Sequence, residues 1–145
     1  MIKHVWSVIC AKSSIDNETN LISISEVLEN LDLRDKVLGE DLKGVLEIKN
    51  EVVSCYFRDG EAKTAESVTQ QIVVISPDGR EIANNTTRVE FPIGIIRMRN
   101  RVKSDGMPVA GFGIHIYEVR LKNEVDEDFQ TVARIPISVN ELVEK

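Results

Sequence analysis

The hydrophobic pattern of the chain is plainest between Phe112 and Val139, where two runs of strand-type residues flank an acidic loop. In the second run Phe129, Thr131, Ala133, Ile135, Ile137 and Val139 share one parity. Gln130, Arg134 and Ser138, with Val132 and Pro136, share the other. Side chains alternate across a strand, so one face is apolar and the other largely polar, as in a half-buried antiparallel strand. The first run, Ile114–Lys122, is β-branched and aromatic, and the link 123–128 has the length of a hairpin connection. The pair is expected to close a β-sandwich, with Ile135 and Ile137 pointing into its core.

The same rhythm runs through the rest of the chain. Ile2–Ala11 is apolar on both parities, which predicts a strand buried on both faces or one continuing under a loop. A loop rich in Ser, Asp, Asn and Thr, 13–20, joins it to a second strand, Leu21–Leu28, as a first hairpin. Val45–Phe57 is strand-like, but its parity shifts around 49–51, which predicts a bulge or a break. Val68–Ser76 and Arg80–Phe91 form a hairpin around Pro77-Asp78-Gly79, where Pro presets φ and Gly accepts a positive one. Pro92 ends the second arm, since it has no N–H for a ladder. Ile95–Lys103 is a further strand.

Two polar stretches, Arg58–Ser67 and Ser104–Gly113, read as loops, the first as a mobile one. Asn30–Lys43 fits no single period and is expected to hold a short helical turn or a crossover. Asn140 is a candidate cap for a terminal helical turn. With about eight short strands and no amphipathic helix, the expected class is all-β. The pattern argues a sandwich or a barrel, and the sandwich is preferred because several strands are apolar on one face, which gives a single antiparallel β-sandwich domain over 1–145.

Composition narrows the partners. A chain of 145 residues buries enough surface to need no metal or disulfide staple. Its net charge is −6, which argues against bulk nucleic-acid binding. No apolar run approaches the roughly 20 residues of a membrane span, and Met1–Lys12 lacks the features of a secretory signal. The expectation is therefore a cytoplasmic protein with no membrane contact. Cys10 and Cys55 lie in apolar strands and are expected to be reduced and buried.

Catalytic motifs are absent: the sequence holds no phosphate loop, no nucleophile elbow, no H-E-x-x-H and no C-x-x-C. The two histidines, His4 and His115, sit among apolar strand residues, where a satisfied core histidine is the ordinary case. A metal or Cys/His site would need His4, Cys10, Cys55 and His115 to converge, which spacing does not support. The acidic loops around Asp16 and Asp126 lack the ligand spacing of a calcium loop. No cofactor and no metal are expected.

One segment breaks the pattern. In Ile95–Lys103, Arg97, Arg99, Arg101 and Lys103 share one parity, with Ile96, Met98 and Val102 on the other and Asn100 between them. A strand would carry these four cations in a row within about 20 Å. Cross-strand pairing with Glu47, Glu90 or Glu118, or protection of a sheet edge, would give the row a structural role. The functional alternative is a strip that binds an acidic partner.

The stretches His4–Glu29, Ile75–Gly79, and the closing G-x-H-x-Y-E-V-R-L followed by A-R-I-P-I-S-V together resemble an uncharacterised family of small bacterial β-sandwich proteins, a domain of unknown function. The resemblance implies an immunoglobulin-like sandwich of about eight strands closed by a hairpin, and it supplies no catalytic residues. The expected function is a non-enzymatic binding or assembly module acting through protein–protein contacts. Its expected binding residues are Arg97, Arg99, Arg101 and Lys103, its partner an unidentified and acidic protein, and self-association is open. The competing reading is a small-molecule-binding protein or small enzyme with a site between the sheets.

Overall fold

The computed structural model describes residues 1–33 and 43–142, and every regular element in it is a strand. In chain order these are β1 (Ile2–Ile15), β2 (Ile22–Val27), β3 (Asn30–Leu33), β4 (Lys43–Leu46), β5 (Asn50–Arg58), β6 (Glu66–Ile75), β7 (Glu81–Phe91), β8 (Arg97–Ser104), β9 (Met107–Ala110), β10 (Gly113–Asn123) and β11 (Gln130–Glu141). The all-β class is therefore seen directly. The count of about eight is corrected to eleven among the described residues. The additions β3, β4 and β9 have four residues each, too few to print a period.

Two large sheets and one small ribbon result. The first sheet has the order β2-β1-β5-β8, the second β3-β11-β10-β6-β7, and β4 pairs with β9 alone. All pairs are antiparallel except β3, which runs parallel to β11. The parity shift around 49–51 marks a break: β4 and β5 belong to different sheets, with Glu47–Lys49 between them. The loop read at 104–113 contains β9, and the stretch 30–43, expected to hold a helical turn or a crossover, contains β3 and the start of β4. The helical-turn expectation at 34–42 lies outside the described residues. Asn140 caps no helix: it and Glu141 continue β11, and the rest of the expected terminal turn, 143–145, lies outside the described residues.

The turn chemistry behaves as its residues dictate. Gly79 takes φ of 86° after Pro77-Asp78, and Ser76 closes the turn by receiving the Gly79 N–H at 2.9 Å. In the closing hairpin Ile137 and Val139 are each 1% exposed, and Ile135 is half-buried against the same core. A bulge between Val119 and Arg120 then shifts the register, and beyond it Val132 packs inward while Thr131 faces solvent.

The core between the sheets is two apolar clusters with a polar row between them. One cluster contains Ile9, Val52, Ile72, Tyr117 and Ile137. The other contains Ile2, Tyr56, Val68, Phe91 and Leu121. Between them Ser7, Ser54 and Asn100 lie side by side across β1, β5 and β8, and Gln70 faces them from β6. Ser7 shares hydrogen bonds of 2.7 Å with both Ser54 and His4. Tyr56 donates to Gln70, whose amide donates to Asn100 at 3.0 Å. A buried polar group left unpaired costs about 1–3 kcal/mol, so this row favours the one sheet register that satisfies all its members.

The first sheet curls. On its outer face Cys10 and Val53 are fully buried and Cys55 nearly so. The far end of the β1–β2 hairpin folds back toward β8, where Asn20 accepts from Arg99 at 2.8 Å. Asn20 has φ of 58°, a conformation that asparagine tolerates better than most residues. The two-parity apolarity of Ile2–Ala11 follows from this curl, because β1 is covered on both faces.

Candidate functional site

The cationic row is carried by β8, which forms an edge of the first sheet. Each cation stands beside a β5 residue: Arg97 by Phe57, Arg99 by Cys55, Arg101 by Val53, Lys103 by Glu51. The paired strand thus offers two hydrophobes, a thiol and one acid. Lys103 meets Glu51 at 3.8 Å. Arg99 donates to Asn20, and Arg101 makes two long donations of 3.4 Å to Ser13. Among the described residues, Arg97, Arg99 and Arg101 form no ion pair with a carboxylate.

The cross-strand pairing weighed from the sequence is thereby corrected. Glu90 and Glu118 belong to the second sheet, where Glu90 meets Arg88 at 3.4 Å and Glu118 meets Arg120 at 3.5 Å and accepts from Thr131. Glu47 lies between β4 and β5, outside the strand beside β8. The acid that does face the row is Glu51, 6% exposed, which also accepts from Ser13.

The four residues that a metal or Cys/His site would need do not meet. His4 lies on the inner side of the first sheet, edge-on to Tyr56 with ring centroids 5.7 Å apart. Cys10 and Cys55 are free. Cys10 stands beside Glu51 and Cys55 beside Trp6, so they are about 13 Å apart along the strands. Burial pushes both thiols up. Glu51 adds to the rise at Cys10, while Arg97 and Arg99 oppose it at Cys55. Neither is poised as a thiolate.

His115 is a fully employed core histidine. Its Nε2 accepts the Ala110 N–H at 3.0 Å and its Nδ1 faces the Gly113 carbonyl at 3.4 Å. That geometry fixes a neutral ring with the proton on Nδ1. His4 borders an open cleft with Asn123, Asp126 and Gln130. Asn123 is spent on the backbone of Ile2, and Asp126 accepts the Asn123 N–H at 2.8 Å. The Ser7 hydroxyl beside His4 leads inward to Ser54. Among the described residues the cleft lining holds no hydroxyl or thiol, and the amines of Met1 and Lys3 are paired with Asp59.

Arg58 is the residue that the sequence pattern misplaced. It reads as the start of a polar loop, yet it is the last residue of β5 and 1% exposed. Its guanidinium donates to the carbonyls of Thr64 at 2.5 Å, Pro92 at 2.9 Å and Ile95 at 2.7 Å, and lies 5.6 Å from the Phe91 ring centroid. It ties the loop 59–65 and the loop 92–96 to one end of the two sheets and so sets the start of β8. Nothing local in Arg58-Asp59-Gly60 signals this. Gln70 and Asn100 did leave a signal, as polar residues on otherwise apolar parities of their strands.

No family model and no curated protein matches the chain. Among solved structures, the crystal structure of the C-terminal domain of wzt is similar to it. The two superpose with a TM-score of 0.52 at 9% identity, over 98% of this chain and 75% of that one. The N-terminal domain of PorA is a fainter likeness, with a TM-score of 0.28 and 11% identity over 94% of this chain and 97% of that one. The first likeness is one of fold alone, and the second carries no argument.

Proposed function

We propose that the chain is a non-enzymatic binding module of the cytoplasm that docks an acidic segment of a protein partner along β8. The observation that carries this is the row Arg97, Arg99 and Arg101, on a sheet edge and without a carboxylate partner among the described residues. Alternate residues of a strand lie about 7 Å apart, so neighbouring guanidinium groups repel by about 0.6 kcal/mol even in water. Folding leaves that repulsion in place, and an incoming carboxylate row relieves it. The free edge of β8 adds backbone donors and acceptors, so an extended acidic segment gains both ladder bonds and charge pairs. The chain as a whole carries −6 with the strip included, which confines the attraction for an acidic segment to this strip. The immunoglobulin-like kinship of the two-sheet stack, and the resemblance to the uncharacterised bacterial family, belong to the same proposal. A second copy of this chain is a weaker candidate partner, because its net charge repels a like molecule.

Arg97 is the clean position for a test, since Arg99 and Arg101 also tether the β1–β2 hairpin. The probe is an extended peptide of alternating glutamate and valine, titrated against the full chain at low and high salt. Wild-type protein binds it at low salt and loses it as salt rises. Arg97→Glu lowers the association rate and leaves the melting curve within about 1 kcal/mol of wild type. A stability loss above about 2 kcal/mol with unaltered peptide binding would retire the proposal, because a loss that large marks a structural residue.

A further inference from the structure

On the side of the sandwich where β7 and β8 are both edges, the two sheets part into a slot of about 180 Å³. Its apolar walls include Val52, Ile72, Val74 and Val102. An apolar cavity of about 150 Å³ takes one benzene ring, whereas drug-sized ligands occupy about 300 Å³ or more. The slot therefore fits a single ring or a small fused pair.

Two deeply buried polar groups line it with hydrogen-bonding capacity to spare. Tyr117 is 5% exposed, and its hydroxyl has no hydrogen-bond partner among the described residues. The only fully enclosed side-chain polar atom without a partner there is Arg58 Nε, so the Tyr117 hydroxyl still borders open space. Asn50, also 5% exposed, commits both amide hydrogens, to the carbonyls of Ile48 at 3.0 Å and Gly106 at 3.1 Å. That fixes the amide and leaves its Oδ1 as a held acceptor. Neither atom is sealed from solvent, so a ligand group can replace water at each, and the two together offer one donor and one acceptor along the slot. Burial pushes the Tyr117 phenol up to about 12, so it stays a neutral hydroxyl. The charged residue at the slot, Lys103, is largely exposed and paired with Glu51.

We propose that this slot binds a small neutral aromatic molecule bearing one hydroxyl or ring N–H, whose polar group donates to Asn50 Oδ1 and accepts from the Tyr117 hydroxyl. A phenol meets both requirements with one atom. Apart from the largely exposed Lys103 the lining is uncharged, so an amine would be desolvated there without a partner. The slot takes Val102, Lys103 and Ser104 of β8 into its lining, so a segment docked along that edge would border its mouth, while Arg97, Arg99 and Arg101 lie outside the lining.

The test is a titration of the full chain with phenol, and separately with toluene, which has the same shape without the hydroxyl. The readouts are backbone amide shifts by heteronuclear NMR and the melting temperature. Phenol should saturate, with shifts concentrated on the strands around Asn50, Asn85 and Val102, and toluene should bind about tenfold more weakly. Tyr117→Phe should weaken phenol by about tenfold without lowering the melting temperature, because the lost hydroxyl has no partner in the free protein. Ala83→Trp should plug the slot and abolish binding. Absence of saturable shifts in the wild type, equal binding of phenol and toluene, or undiminished phenol binding by Tyr117→Phe would each overturn the proposal. The wild-type and Tyr117→Phe arms decide the matter even if the Trp variant does not fold.

Discussion

Arg58 and Arg97 stand at neighbouring ends of β5 and β8, and the protein uses the same side chain in opposite ways. Arg58 is sealed inside, with three carbonyls as acceptors and an aromatic face beneath it. Arg97 is exposed beside Phe57 with no carboxylate partner among the described residues. The difference is one of parity. Arg58 follows Tyr56 on the inner face, at the rim where strands end and loop carbonyls are available. Arg97 lies on the outer face, where only solvent and a partner can satisfy it. A buried guanidinium is tolerable only where fixed acceptors replace its water, and that condition makes it a structural staple. A solvated one is thermodynamically idle and free for recognition.

The comparison breaks first at its buried side. Arg58→Met removes three charge-assisted hydrogen bonds and strands the carbonyls of two loops. Stability should fall by about 3–5 kcal/mol in urea unfolding. Arg58→Lys should recover only part of that loss, since one ammonium cannot span a planar fork of acceptors. A loss under about 1 kcal/mol for Arg58→Met would show that the two loops hold themselves. A purely apolar reference sharpens the scale: Ile137→Ala, at the centre of the larger cluster, should cost about 2–4 kcal/mol. If that cost fell below about 0.5 kcal/mol, the inward parity of β11 would be wrong.

A third kind of buried base gives a smaller and pH-dependent effect. Burial holds His115 below its ordinary 6.5, with the Gly113 carbonyl opposing, and burial alone lowers His4. The unfolded chain then binds protons at a higher pH than the folded one, so stability rises with pH across this window. The contribution is complete above about pH 6.5 and is lost as pH falls from there through the folded values. Urea midpoints near neutrality and near pH 5 should show the decline, and His115→Gln should make it shallower. A midpoint that holds steady or rises on acidification would contradict the neutral His115 ring. The smallest stability effect belongs to Arg97→Glu, at most about 1 kcal/mol, and its signature is lost peptide binding instead.

Much of the strand layout was legible because it is local. Alternation in Ala133–Val139, the Pro77-Asp78-Gly79 turn and the stop at Pro92 each involve residues close in sequence, and each reappears in the structure. The four cations of Ile95–Lys103 likewise had to share one face once the segment became a strand. What escaped was non-local. The strands β3, β4 and β9 are defined by their partners, since four residues carry too little pattern to define themselves.

The sequence by itself determined which residues alternate, where the chain turns, and that one strand carries a cationic face in an acidic protein. Only the tertiary structure decided that this strand lies at an edge and away from Glu90 and Glu118. It also turned Arg58 from a loop residue into a staple, and gathered Asn50 and Tyr117 from different sheets around one slot. The reason is physical. Side-chain direction is fixed by backbone geometry within a few residues, whereas burial and partnership depend on which strands meet, and that is settled by packing across the whole chain.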